Sequence, residues 1–174
     1  LHPREGDRQD GTGGGLTRWR SERAGRIDVT PEQRYMFDLR GFLHLEGVLS
    51  DEELENCREA SQRYIDTPSE ELMPPFERDG TVRHLYGFAF DKCLEALTMH
   101  PAIWPIVMEL TNDKPRLCSG TLQVNRPGDK VIADRLHCAR DDFGWESTRY
   151  ECRDGRIYCD DFVVFPYFDD VFPG

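Results

Sequence analysis

The chain has 174 residues, 38% of them hydrophobic, with 33 acidic against 22 basic side chains and a formal net charge of -11. That length supports one domain with a real core, and the acidity argues against nucleic acid or an anionic membrane as the main partner, since both require a basic face. No apolar run approaches the roughly 20 residues of a membrane span, and the N-terminus lacks the apolar centre of a signal peptide and a starting Met, as in a fragment or processed product.

Residues 1–27 are rich in Gly and Arg and poor in apolar groups, so they are expected to form a disordered tail ahead of a domain spanning 28–174. The glycines at 11–15 follow no strand and precede no G-K-S/T, which excludes a phosphate loop. Thr30-Pro31-Glu32-Gln33 reads as a helix start, with Thr30 as the cap; Tyr35, Met36 and Leu39 supply an apolar side and Gly41 the stop. Residues 42–45 read as a strand. Ser50-Asp51-Glu52-Glu53 is a second capping box, with Leu49 and Leu54 placed as a hydrophobic staple. The helix it opens carries Leu54, Cys57, Tyr64 and Ile65 on one face and ends before Pro68.

Residues 66–90 are turn-rich, with a short strand expected near 82–86; long loops of this kind often cover a site. Helices follow over 91–99 and 101–110, the second with Ile103, Val107 and Leu110 inward and Pro105 in its first turn. From residue 117 the pattern changes. Residues 117–125 and 131–137 read as two strands joined at Pro127-Gly128, 140–155 as a polar loop, and 156–168 as a β-rich aromatic run. Helices first and strands afterwards indicate an α+β domain with an antiparallel sheet or barrel.

His137 ends the second strand of that hairpin, with Asp141 and Asp142 close behind. An imidazole and a carboxylate on one side of a metal, with open positions opposite, is the arrangement of a non-haem iron site. Gln123 and Asn125 alternate onto one face of the first strand. Six cysteines without a C-x-x-C pair read as free thiols in a reducing, cytoplasmic setting, although His137, Cys138, Cys152 and Cys159 offer an alternative zinc set. His44, His84 and His100 have no partner spacing and read as surface or capping groups. The pairs Asp160-Asp161 and Asp169-Asp170 read as a solvated strand end and a turn. Asp142-Phe143-Gly144 lacks every other kinase signature.

Residues 35–54, His100-Pro101 with its helix, residues 123–137 with their N-x-P-G turn, and residues 167–174 together resemble the phytanoyl-CoA dioxygenase family of iron- and 2-oxoglutarate-dependent oxygenases. The resemblance implies a helical layer packed on a double-stranded β-helix of the cupin, or jelly-roll, type. It also implies Fe(II) and 2-oxoglutarate as cofactor and co-substrate, and hydroxylation of an aliphatic carbon of a small-molecule or lipid-like substrate. By the same resemblance His137 is the proximal metal ligand, and Gln123 and Asn125 face the pocket. The family's His-x-Asp meets Ala139 in this chain. The carboxylate therefore comes from Asp141 (or Asp142), or is absent; His-x-Ala is also similar to the related halogenases. A non-catalytic cupin-like module is a further alternative. Gly174 precedes the strands that in the family carry a distal histidine and the 2-oxoglutarate arginine, so an incomplete and inactive domain is expected.

Overall fold

The Thr30 hydroxyl accepts from the Gln33 N–H while Gln33 Oε1 accepts from the Thr30 N–H, the reciprocal box expected from the sequence. In the computed structural model, which describes residues 29–126 and 149–171, this box opens α1 (Pro31–Arg40), and Gly41 closes it in the left-handed conformation at φ 78°. The side of α1 turned toward the molecule shares only Met36 with the apolar side expected. Tyr35 and Leu39 are each 64% exposed; Gln33, Arg34, Met36 and Phe37 are the half-buried residues. A bidentate pair between Arg34 and Glu109 (Nη2 to Oε2 2.9 Å) ties that second side to the molecule. Residues 42–45 run without a ladder partner and form no strand.

The Ser50–Glu53 box opens α2 (Asp51–Asp66), which stops at Thr67, just before Pro68. Cys57, Ala60, Ser61 and Tyr64 form its buried stripe, with the i, i+3, i+4, i+7 spacing of an amphipathic helix. Asp91 caps α3 (Lys92–Ala96), and a single 3-10 turn continues it to Met99. Cys57, Ala60 and Leu94 form the core between these helices, with Phe90, Leu97 and Phe168 packed against it. α4 is shorter than expected (Trp104–Leu110); it keeps Pro105 in its first turn and buries Val107 and Leu110.

Three short strands, β1 (Arg78–Asp79), β2 (Arg83–Leu85) and β3 (Thr121–Gln123), form an antiparallel sheet in that order. His84 lies opposite both Arg78 and Leu122, and Arg83 opposite both Asp79 and Gln123. β3 is thus shorter than the 117–125 strand expected, and its observed partner is β2; residues 131–137 lie outside the described residues. β4 (Tyr150–Arg153) and β5 (Arg156–Cys159) make a hairpin through Asp154-Gly155, at φ 52° and 72°. Positive φ at both turn residues is the type I′ geometry that matches strand twist. β4 therefore occupies the end of the expected 140–155 loop, while the expected β-rich run stops pairing soon after Cys159. Tyr150 and Ile157 turn this hairpin toward the helices: the Tyr150 hydroxyl donates to Asp38 at 2.6 Å, and Ile157 is buried.

The architecture is α+β, helices with two small antiparallel sheets; a double-stranded β-helix goes beyond these sheets. No helix among the described residues is long and apolar enough to cross a membrane.

Candidate functional site

The face of β1–β2–β3 toward α2 is a packed knot. Tyr64 stacks on Phe90 at 4.4 Å between ring centroids and meets the rings of His84 and Phe76 edge-on at 5.1 and 5.8 Å. Its hydroxyl lies 2.6 Å from the Leu85 carbonyl and 3.1 Å from that of Glu77, so one side chain joins the helix to β2 and to the residue that leads into β1. Arg78, on the same face as His84, donates to the carbonyls of Tyr64, Ile65 and Thr67 and so caps the C-terminus of α2. His84 is only 3% exposed, and its Nδ1 has no hydrogen-bond partner among the described residues. Burial, and then the charge on Arg78, hold its pKa below the ordinary 6.5. The expectation of a surface or capping role for His84 is therefore corrected. It fits better for His44, which is exposed, and for His100, whose Nδ1 accepts from the Ala102 N–H at 3.3 Å.

Because side chains alternate along a strand, the opposite face carries Asp79, Arg83, Leu85, Thr121 and Gln123. The Val124 N–H donates to the Val82 carbonyl at 2.9 Å, which carries the ladder past Gln123 toward Asn125. Gln123 and Asn125 are exposed; Arg83 is half-buried and pairs with Asp79 at 3.0 Å. A guanidinium and a carboxamide thus share this face, with a second carboxamide, Asn125, two residues on. Sequence reasoning passes over Arg83, because only the register of β2 on β3 sets it opposite Gln123.

Behind β3 the fit is close. A methyl group on Gly87 would lie 2.5 Å from the Leu122 nitrogen, and one on Gly120 would lie 2.8 Å from the Phe88 ring. The turn at residues 87–89 therefore presses directly on the strand that carries Gln123.

His137, Asp141, Asp142 and Cys138 lie outside the described residues, as does Ala139. Among the described residues no group of three or more His, Cys, Asp and Glu side chains stands ready to hold a metal. Of the alternative zinc set, Cys152 and Cys159 are described and share one face of the β4–β5 hairpin: Cys152 lies opposite Ile157, and Cys159 opposite Tyr150. Asp160, Asp161, Asp169 and Asp170 are exposed, as expected of solvated pairs. The cleft among α1, α4 and β5, walled by Val29, Phe37, Leu43, Ile106, Leu110 and Ile157, has room for no more than a water-sized molecule. No protein-family model, curated protein or solved structure matches this chain.

Proposed function

We propose that the chain belongs to an Fe(II)- and 2-oxoglutarate-dependent dioxygenase that hydroxylates an aliphatic carbon of a small molecule or lipid. The observation that carries this reading is the face of β2 and β3 turned away from α2, where Arg83 stands opposite Gln123 with Asn125 two residues on. A dicarboxylate such as 2-oxoglutarate calls for a guanidinium to hold a carboxylate and for amide donors to orient the rest, and this face offers both. The described residues fit the co-substrate in chemistry. Among them no group of three or more metal donors stands together, so on this reading the metal rests on His137 with Asp141.

On this reading His137 follows Gln123 by 14 residues of sequence, so neighbouring stretches of the chain would carry the co-substrate and metal groups. Bound Fe(II) would supply the activation of dioxygen. The chain's own residues would orient 2-oxoglutarate and keep the β2–β3 pair in register, with Asp79 holding the Arg83 side chain in place. The same reading has no place for nucleic acid, since a chain of net charge -11 lacks the basic face that such a partner requires.

Anaerobic equilibrium dialysis with Fe(II) and 2-oxoglutarate tests the proposal. Retention of both is expected. Loss of iron is expected in His137→Ala, and about tenfold weaker 2-oxoglutarate retention in Arg83→Met, the cost of one charge-assisted contact. Iron retention unchanged in His137→Ala, or dependent on Cys152 and Cys159 instead, would overturn the reading.

A further inference from the structure

We propose that Cys57 and Cys93 form a redox staple, which hydrogen peroxide converts into a disulfide clamping α3 onto α2 behind the β1–β2–β3 sheet. The proposal stands on the geometry of these two helices and is independent of the oxygenase reading. Each sulfur lies against the other residue's stretch of main chain. Cys57 Sγ is 3.9 Å from the Cys93 carbonyl oxygen, and Cys93 Sγ is 3.4 Å from the carbonyl oxygen of Asn56. A disulfide needs the bridged Cα atoms about 4.4–6.8 Å apart. The crossed contacts set the two stretches of main chain side by side, the approach that such a bridge requires. Both cysteines are free in the structure.

Exposure assigns the order of events. Cys57 is 1% exposed, whereas Cys93 is half-buried. Peroxide therefore meets Cys93 first: its sulfur attacks one peroxide oxygen, the O–O bond breaks, and sulfenic acid and one water result. The Cys57 sulfur then attacks the Cys93 sulfur, the S–O bond breaks, and the hydroxyl leaves with the thiol proton as a second water. Two electrons pass from the two thiols to one peroxide.

The surroundings set the speed. Burial, aided by the hydrogen bond to Asp91, pushes the Cys93 thiol up to about 12, and burial also raises Cys57. The thiolate is the nucleophile, so the pair stays reduced through brief exposure at neutral pH and closes under sustained oxidation. The clamp has a route to the sheet: α3 follows directly on the 87–89 turn, whose Gly87 lies against Leu122 of β3.

The full chain, treated with hydrogen peroxide at pH 7 and pH 9 and mapped by non-reducing peptide mass spectrometry, tests the staple. The expected product is a single cross-linked peptide pair joining residues 57 and 93, formed about tenfold faster per pH unit. Closing this 36-residue separation is expected to shift the folding equilibrium by about 10²–10³-fold and to raise the melting temperature by about 10 °C, reversibly with dithiothreitol. Cys93→Ser should abolish the shift. A variant with Cys118, Cys138, Cys152 and Cys159 all changed to Ser should retain it. That variant decides the matter even if Cys93→Ser fails to fold, because Cys57 and Cys93 are its only thiols. Sulfinic acid in place of a cross-link, a bridge between other cysteines, or a cross-link that leaves the melting temperature unchanged or lower would each overturn the proposal.

Discussion

His84 shows how one residue's chemistry follows from where it is buried. A neutral imidazole sits under the sheet between Tyr64 and Arg78, and a proton added there would lose its hydration and face the guanidinium charges of Arg78 and Arg126. The folded-state pKa is therefore depressed, while the unfolded chain titrates near 6.5. Below about pH 6.5 the unfolded state takes up a proton that the folded state refuses, so stability is full above that pH and falls as pH drops. The limiting slope is about 1.4 kcal/mol per pH unit for one proton. His84→Phe keeps a ring against Tyr64 and removes the titration. Urea midpoints between pH 7.5 and 5 should therefore flatten in that variant, and overlapping curves for variant and wild type would assign the loss to another group. Glu53 and Asp91 act in a lower window. Their carboxyls are held below their ordinary 4.5 and 3.8, chiefly by hydrogen bonds at Ser50 and at the Cys93 backbone, so their contributions are lost only in stronger acid.

At the scale of elements, the two capped helix starts were legible to the residue, whereas the strands were legible only in place: β2, β3 and β5 fall within the segments expected near 82–86, 117–125 and 156–168, but their lengths and partners did not show. Thr30 and Ser50 each carry their own partner three residues away, so a local pattern fully specifies the cap. Strands need partners from elsewhere. The 42–45 segment has strand composition and finds none among the described residues, whereas Arg78–Asp79 has little strand character and pairs because β2 turns back on it. β3 is set by two neighbours at once, β2 in the sheet and the 87–89 turn behind it. Gly87→Ala tests that second contact. The added methyl would collide with the Leu122 backbone, which cannot yield as a flexible side chain does. A cost of about 1–3 kcal/mol is expected in chemical unfolding, with faster amide exchange in residues 121–123. A neutral Gly87→Ala would mean that the turn does not brace the strand.

For the molecule as a whole, one long-range tie is the segment after β5. Phe168 packs on the Cys57–Ala60–Leu94 core, and Arg58 of α2 donates to its carbonyl at 2.8 Å and pairs with Asp169 at 3.2 Å. Around this anchor Val163, Phe165 and Tyr167 stay exposed. The contact bridges 110 residues of sequence, and no periodic pattern announces it. Phe168→Ala should cost about 2 kcal/mol, less than a fully buried Phe because the ring is only partly covered. It should also make residues 160–170 the first site of limited proteolysis. Unchanged stability and cleavage would show the segment to be held by Arg58 alone.

The amino-acid sequence by itself determined the α+β class, both capping boxes, the stop at Gly41 and the inward face of α4, because each rests on residues within one or two turns of each other. It also singled out Gln123 and Asn125 as neighbours on one strand face. Only the tertiary structure decided that Arg83 joins them, that His84 is buried and uncharged, and that Cys57 meets Cys93. Register and helix packing bring together residues that are dozens of positions apart, and no local spacing records such a meeting.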